Sequence, residues 1–118
     1  MPMDDYQAIV VRNPDHRVVA LYGDLDAASM PALEAELFCQ LTESDLPLVV
    51  SLDGVAFCDT GCLRSLLQAA RHADAVGCRI AFCCRLEDLL RVLRDGRITH
   101  HLGIWPTIEE AVRAVLRP

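Results

Sequence analysis

The sequence predicts an α/β protein: a mixed sheet of four to five strands with four helices, in a single domain over residues 1–118. Three observations carry this. Short β-branched apolar runs alternate with stretches whose apolar residues recur at i, i+3, i+4 and i+7. Two such runs near the N-terminus are joined by only a few residues, whereas the later ones are each separated by a helix-length segment, as parallel strands require. At Asp59 the period changes abruptly from strand to helix. With 53% hydrophobic and 24% charged residues, the chain has enough apolar side chains for a core and a composition unlike that of disordered segments.

The elements follow in order. Residues 8–11, AIVV, form a first strand, Asn13-Pro14-Asp15 a turn, and Arg17 to Tyr22, RVVALY, a second strand that closes a hairpin. Gly23-Asp24-Leu25-Asp26 ends it. A first helix runs from about Ser29 to Leu41, with Ser29 a candidate cap, Pro31 in the first turn, and an inward stripe of Met30, Leu33, Leu37 and Leu41. Glu34 and Glu36 fall off that stripe and are expected in solvent. Val49, Val50 and Leu52 begin a buried central strand, whose apolar character continues through Val55, Ala56 and Phe57 to Cys58. Asp59 or Thr60 caps the second helix, whose stripe is Leu63, Leu66, Leu67 and Ala70 and which ends at Val76 with Gly77 as its left-handed stop. Arg64, Gln68 and Arg71 lie away from the stripe. Arg79 to Cys84, RIAFCC, is the next strand. Leu86, Leu89, Leu90 and Leu93 mark a third helix stopped by Gly96, and Ile104 and Trp105 a short last strand. Thr107 and Glu110 form a capping box for a final helix with Ile108, Ala111, Val112 and Val115 inward.

Val49 to Ala70 is similar to the corresponding stretch of the STAS domains of bacterial anti-sigma-factor antagonists. Those carry an apolar strand ending in Asp-Ser-Ser-Gly-Leu, in which the Ser after the Asp is phosphorylated. Here the same register reads Asp59-Thr60-Gly61-Cys62-Leu63. Thr60 keeps a hydroxyl at the acceptor place. Gly61 stands where Ser is usual, Cys62 where Gly is usual, and Ser51 where the strand commonly has Asp. Two flanking landmarks agree: Gly23-Asp24-Leu25-Asp26 resembles the family's Gly-x-Leu/Ile-Asp, and the stretch from Pro106 to Ala111 its Pro-Thr-x-Glu-Glu-Ala. The resemblance covers about Ala8 to Leu116 and implies the STAS fold.

It also implies partner switching. The unmodified protein would bind an anti-sigma factor, a serine/threonine kinase of the histidine-kinase-like ATPase class, and so release the sigma factor. Phosphorylation of Thr60 would end the complex, and a PP2C-type phosphatase would restore it. On this reading Asp26 and Asp59 frame the acceptor, and Asp24, Gly61, Cys62 and Arg64 line the contact. Asp26 has a second reading as a helix cap. The alternative keeps the fold without the switch, as a module that binds a partner constitutively or takes a small ligand.

Other chemistries fit less well. A net charge of −6 disfavours nucleic acid and anionic membranes as partners. No run is long enough to span a bilayer, and MPMDDYQ has no apolar signal region, so a cytoplasmic location is expected. All 11 basic residues are Arg. Phosphate-loop, dinucleotide and zincin motifs are missing, and the adjacent His100 and His101 point apart, as a poor chelate. The six cysteines, Cys39, Cys58, Cys62, Cys78, Cys83 and Cys84, contain no Cys-x2-Cys knuckle. They are expected to be reduced thiols acting as small hydrophobes, with neither metal nor disulfide. A cysteine-dependent enzyme would need Cys62 as nucleophile and a base such as His72, nearly three turns along the same helix. No catalytic residue and no cofactor are expected.

Overall fold

The computed structural model describes residues 6–95 and 103–117. The elements are β1 (Tyr6–Arg12), β2 (Arg17–Leu25), α1 (Met30–Glu43), β3 (Leu48–Cys58), α2 (Thr60–Val76), β4 (Ile80–Cys83), α3 (Glu87–Asp95), β5 (Ile104–Trp105) and α4 (Ile108–Leu116). This is the expected order. The stops expected at Gly96 and the pair His100 and His101 lie outside the described residues.

The five strands lie in sequence order, β1-β2-β3-β4-β5. β1 and β2 are antiparallel, and each later neighbour is parallel. Right-handed crossovers between strands that advance in one direction put all their helices on one face. Accordingly, Leu33 and Leu37 of α1, Leu66 and Ala69 of α2 and Leu89 of α3 share one cluster with Val19, Leu21, Val50, Leu52 and Phe82. The chain then turns back, and α4 covers part of the opposite face, where Ala111 and Val115 meet Val18, Val49, Ala81 and Cys83. The first half of β3, Leu48 to Leu52, is therefore buried on both sides.

The rest of the opposite face is open. Ile9 and Val11 lie across from Ala20 and Val18, and Ile9, Val11, Tyr22 and Phe57 are all about half exposed. Gly54 sits opposite Tyr22, and its backbone is overlain by the tyrosine ring: a Cβ there would come within 2.2 Å of Tyr22 Cδ1. The pairing of β2 with β3 shifts twice, each time with one extra residue in β3. Such bulges bend a strand and re-aim its end. The apolar run from Val55 to Phe57 is thus not buried throughout, because Ala56 and Phe57 emerge into solvent.

Three other expectations change. The buried stripe of α2 is Cys62, Leu66, Ala69 and Ala73, with Leu67 and Ala70 only partly covered. Small residues at the centre let this helix, wedged between the sheet and α1, approach both. Glu34 is not simply in solvent, since its Oε1 accepts the Ser65 hydroxyl across the α1–α2 seam at 2.7 Å. β2 continues past Tyr22 to Leu25. The end of α2 is as expected: Gly77 adopts φ 73°, Cys78 N–H donates to Ala73 O and Gly77 N–H to Asp74 O, the paired bonds of a Schellman stop.

Candidate functional site

β2 and β3 are parallel, so their C-terminal ends emerge side by side. Asp24 is in register with Phe57, and Leu25 with Cys58. The Asp59 N–H donates to Leu25 O at 3.4 Å and ties the two exits together. This edge, beyond the carboxyl ends of parallel strands, is where α/β sheets commonly place ligand and partner sites.

Asp59 is the cap of α2. Its backbone is extended (φ −94°, ψ −177°), and its Oδ1 accepts the Cys62 N–H at 3.0 Å. Thr60 is the first helical residue, as the change of period at Asp59 predicted. Gly61 leaves room for the cap: a Cβ there would lie 3.2 Å from Asp59 Oδ1 and 4.0 Å from Met30 Cγ. The start of α1 therefore borders the start of α2. Ser29 does not cap α1 with its own side chain. Instead Asp26 Oδ1 accepts both the Ser29 N–H at 3.0 Å and the Ser29 hydroxyl at 2.9 Å. Asp26 is thus not the helix cap that the sequence suggested: it braces Ser29, which occupies that position, at the rim of the same turn. Asp24 and Arg64 are exposed. Asp24, Asp26, Asp59, Gly61 and Cys62 come together at the two strand ends and the two helix starts.

The cysteine expectation is overturned here. Cys58 and Cys62 form a disulfide. The helical turn after Asp59 swings residue 62 back over the end of β3, bringing the two Cα atoms to 5.7 Å, within the span of a bridge. Spacing and compartment arguments do not register that local geometry. Cys39 is a free, exposed thiol, and Cys78, Cys83 and Cys84 are free and buried. In the bridged form Cys62 is not a free thiol, and so is not available as the nucleophile of the cysteine-enzyme alternative. His72, its candidate base, stacks on Phe38 in the α1–α2 seam, with ring centroids 4.6 Å apart.

Two features went unseen in the sequence. Phe57, 53% exposed, stands beside Asp24 as an apolar group at the rim of the acidic turn. A cleft of about 570 Å³ runs from Val55, Ala56, Phe57 and Cys58 to Leu86, Glu87, Asp88 and Leu89 at the start of α3. A cavity of about 610 Å³ lies elsewhere, between α2 and α4, with Arg71, Asp74 and Trp105 in its walls. Among the described residues, no group of three or more His, Cys, Asp or Glu side chains is placed to hold a metal, and no helix is long and apolar enough to cross a membrane.

Comparison with known proteins agrees with this geometry. The fold is similar to that of an anti-sigma factor antagonist from Mycobacterium paratuberculosis, with a TM-score of 0.88 and 22% identity over 97% of each chain. An anti-sigma-factor antagonist (STAS) domain protein from Planctomyces limnophilus gives 0.74 and 15% identity, over 92% of this chain and 96% of that one. The Bacillus cell-fate determinant SpoIIAA in its phosphorylated form gives 0.66 and 18%, over 93% and 98%. At these identities the likeness speaks for the fold. The profile of the STAS domain matches residues 7–111, nearly the whole chain, and the protein belongs to the STAS domain family.

Proposed function

We propose that this protein is an anti-sigma factor antagonist, switched off by phosphorylation of Thr60. It binds an anti-sigma factor that is also a serine/threonine kinase of the histidine-kinase-like ATPase class, and so frees a sigma factor to direct transcription in the cytoplasm. A PP2C-type phosphatase resets it. The chain is a substrate and a binding surface, and its own residues do no catalysis. The observation that carries this reading is the placement of Thr60 as the first residue of α2, directly after the capping Asp59 and in the acceptor position of the family motif.

The partner would cover the acidic turn. Asp24, Asp26 and Asp59 give it a negative surface, Gly61 a close-approach floor and Arg64 one positive contact at the edge, whereas Cys62, expected to line the contact, is fully buried beneath it. Phe57 supplies an apolar anchor of the kind that dominates interface energetics. Phosphorylation adds roughly −1.5 to −2 charges at neutral pH. The N-terminus of α2 offsets part of this by about 0.3–1 kcal/mol, while the neighbouring carboxylates repel it. The fold is thereby little affected, but a partner closed over the uncharged Thr60 hydroxyl would have to bury an unpaired anion, which costs several kcal/mol.

The test is a pull-down of partners by the purified protein, with and without ATP, followed by mass spectrometry of the chain after incubation with the recovered kinase. An anti-sigma factor is expected to bind without ATP and to leave with it, as one phosphate appears on Thr60. Thr60→Ala should stay bound in ATP. If a kinase active on another antagonist places no phosphate on Thr60, the switch is refuted and a constitutive binding module remains.

A further inference from the structure

We propose that the Cys58–Cys62 bridge is a reversible redox lock on the turn that carries Thr60: bridged, the turn resists phosphorylation, and reduced, it yields to the kinase. The kinase half of this statement rests on the function proposed above, whereas the lock itself does not.

The bridge joins the last residue of β3 to the first turn of α2, with Thr60 midway between its ends. A bridged pair keeps its Cα atoms within about 7 Å, whereas four residue steps fully extended reach about 13–14 Å. The bridge therefore forbids the segment from being drawn out. Phosphoryl transfer needs the acceptor hydroxyl in line with the transferred phosphate, so a turn that cannot adjust is a poorer substrate. Two thiols cannot sit as close together as two bonded sulfurs. Reduction lets the two sulfurs part by side-chain rotation and lifts the Cα–Cα restraint, so the end of β3 and the first turn of α2 become free to separate at the place where the partner reads the surface.

A purely structural bridge is disfavoured by its size. It closes a five-residue loop, at the short end of the range where cross-linking stabilises a fold. Access also fits a switch. Cys62 is fully buried, but Cys58 is only partly covered and borders the cleft that leads to Leu86 and Leu89. A thiolate of a dithiol oxidoreductase entering there would attack Cys58 Sγ, break the S–S bond and release the Cys62 sulfur. The second thiol of the reductant then resolves the mixed disulfide, so two electrons and two protons pass from the dithiol to the two cysteines. In the reverse direction a glutathione-type disulfide is attacked by Cys58, Cys62 displaces the remaining thiol, and two molecules of thiol leave. Cys78, Cys83 and Cys84 lie in the core, where burial raises each thiol above its ordinary range and leaves it out of this exchange.

The experiment equilibrates the full chain in buffers of reduced and oxidised glutathione, reads the cysteines by differential alkylation and peptide mass spectrometry, and then assays phosphorylation by the kinase recovered above. Cys58 and Cys62 are expected to bridge and reopen reversibly while Cys78, Cys83 and Cys84 stay thiols. A pair that never bridges in oxidised glutathione, or never reopens in reduced glutathione, overturns the proposal. The bridged form should be phosphorylated roughly tenfold to a hundredfold more slowly, the scale of loss when a reacting group is misplaced by about 1 Å. The double variant Cys58→Ser, Cys62→Ser should react at the fast rate in both buffers. Equal rates for bridged and reduced protein overturn the lock. If neither form is phosphorylated, the proposed function fails, and amide hydrogen exchange at residues 60–64 decides the lock by itself: roughly tenfold greater protection when bridged supports it, and equal protection refutes it.

Discussion

Asp59 and Thr60 divide the labour at the start of α2. The cap is made by the Asp59 carboxylate, which takes the Cys62 N–H, and Thr60 follows as the first helical residue. Replacing Asp59 by Ala should therefore cost about 0.5–2 kcal/mol in urea denaturation, the usual value of such a cap. Thr60→Glu should melt near wild type yet bind the anti-sigma factor about a hundredfold more weakly, a loss of about 2.7 kcal/mol. Calorimetry of folding and of binding on the same preparation checks both, and a Thr60→Glu protein that binds normally refutes the charge mechanism. These two residues were legible in the sequence because the change from period 2 to period 3.6 falls on them. Asp26 was legible as a structural residue near the start of α1, although it holds Ser29 and Ser29 occupies the cap position itself. The Cys58–Cys62 bridge and the Glu34–Ser65 bond were not, since each depends on how closely two elements approach and no spacing records that. The exposure of Phe57 was not legible either, because an apolar run does not show where the covering layer stops.

At the scale of elements, the clearest omission is Arg17. In the sequence it is only the polar start of a strand, yet it is 2% exposed. Its guanidinium donates to Gln40 O at the end of α1, and to Ser44 O at 3.2 Å and Leu46 O at 2.7 Å in the loop that follows. A buried cation is thus held by carbonyls at a helix C-terminus, where the macrodipole favours it. Nothing local signals this, because the carbonyls come from residues more than twenty positions away. Arg17→Met keeps the bulk and removes the donors, leaving those carbonyls without their partner. Charged hydrogen bonds contribute about 1.5–3 kcal/mol each and are not additive, so a loss of about 2–4 kcal/mol is expected in urea denaturation. Arg17→Lys should recover only part of it, since an ammonium lacks the planar fork. A loss below about 0.5 kcal/mol would mean that the carbonyls find water instead. The helix ends were more legible than this loop. Gly77 stops α2 and Thr107 caps α4, its Oγ accepting the Glu110 N–H at 3.1 Å, and both signals are local in sequence.

At the scale of the molecule, the element order could be read from the chain, whereas the two-sided cover of the sheet could not. The apolar residues at the start of β3 marked a buried strand, but that both faces are covered, and that α4 supplies the second cover, is settled by topology. This cover distributes the buried thiols. Cys78 and Cys84 lie in the cluster under α1 to α3, and Cys83 lies under α4. Burial is the main cause that raises all three above the ordinary thiol value of 9.0, offset in part by Arg17 at Cys78, by the Ser51 hydroxyl at Cys83 and by the Leu86 backbone at Cys84. Above that ordinary value the unfolded chain gives up thiol protons that the folded chain keeps. The unfolded state then binds fewer protons, so stability falls as pH rises. The contribution is fully present below the ordinary value and is lost progressively on the way up to the folded values. Urea denaturation from about pH 7 to about pH 10 should show this decline, and the double variant Cys83→Ala, Cys84→Ala should start from a lower stability and decline less steeply. Parallel curves for the two proteins would assign the alkaline loss to other groups and refute the thiols as its source.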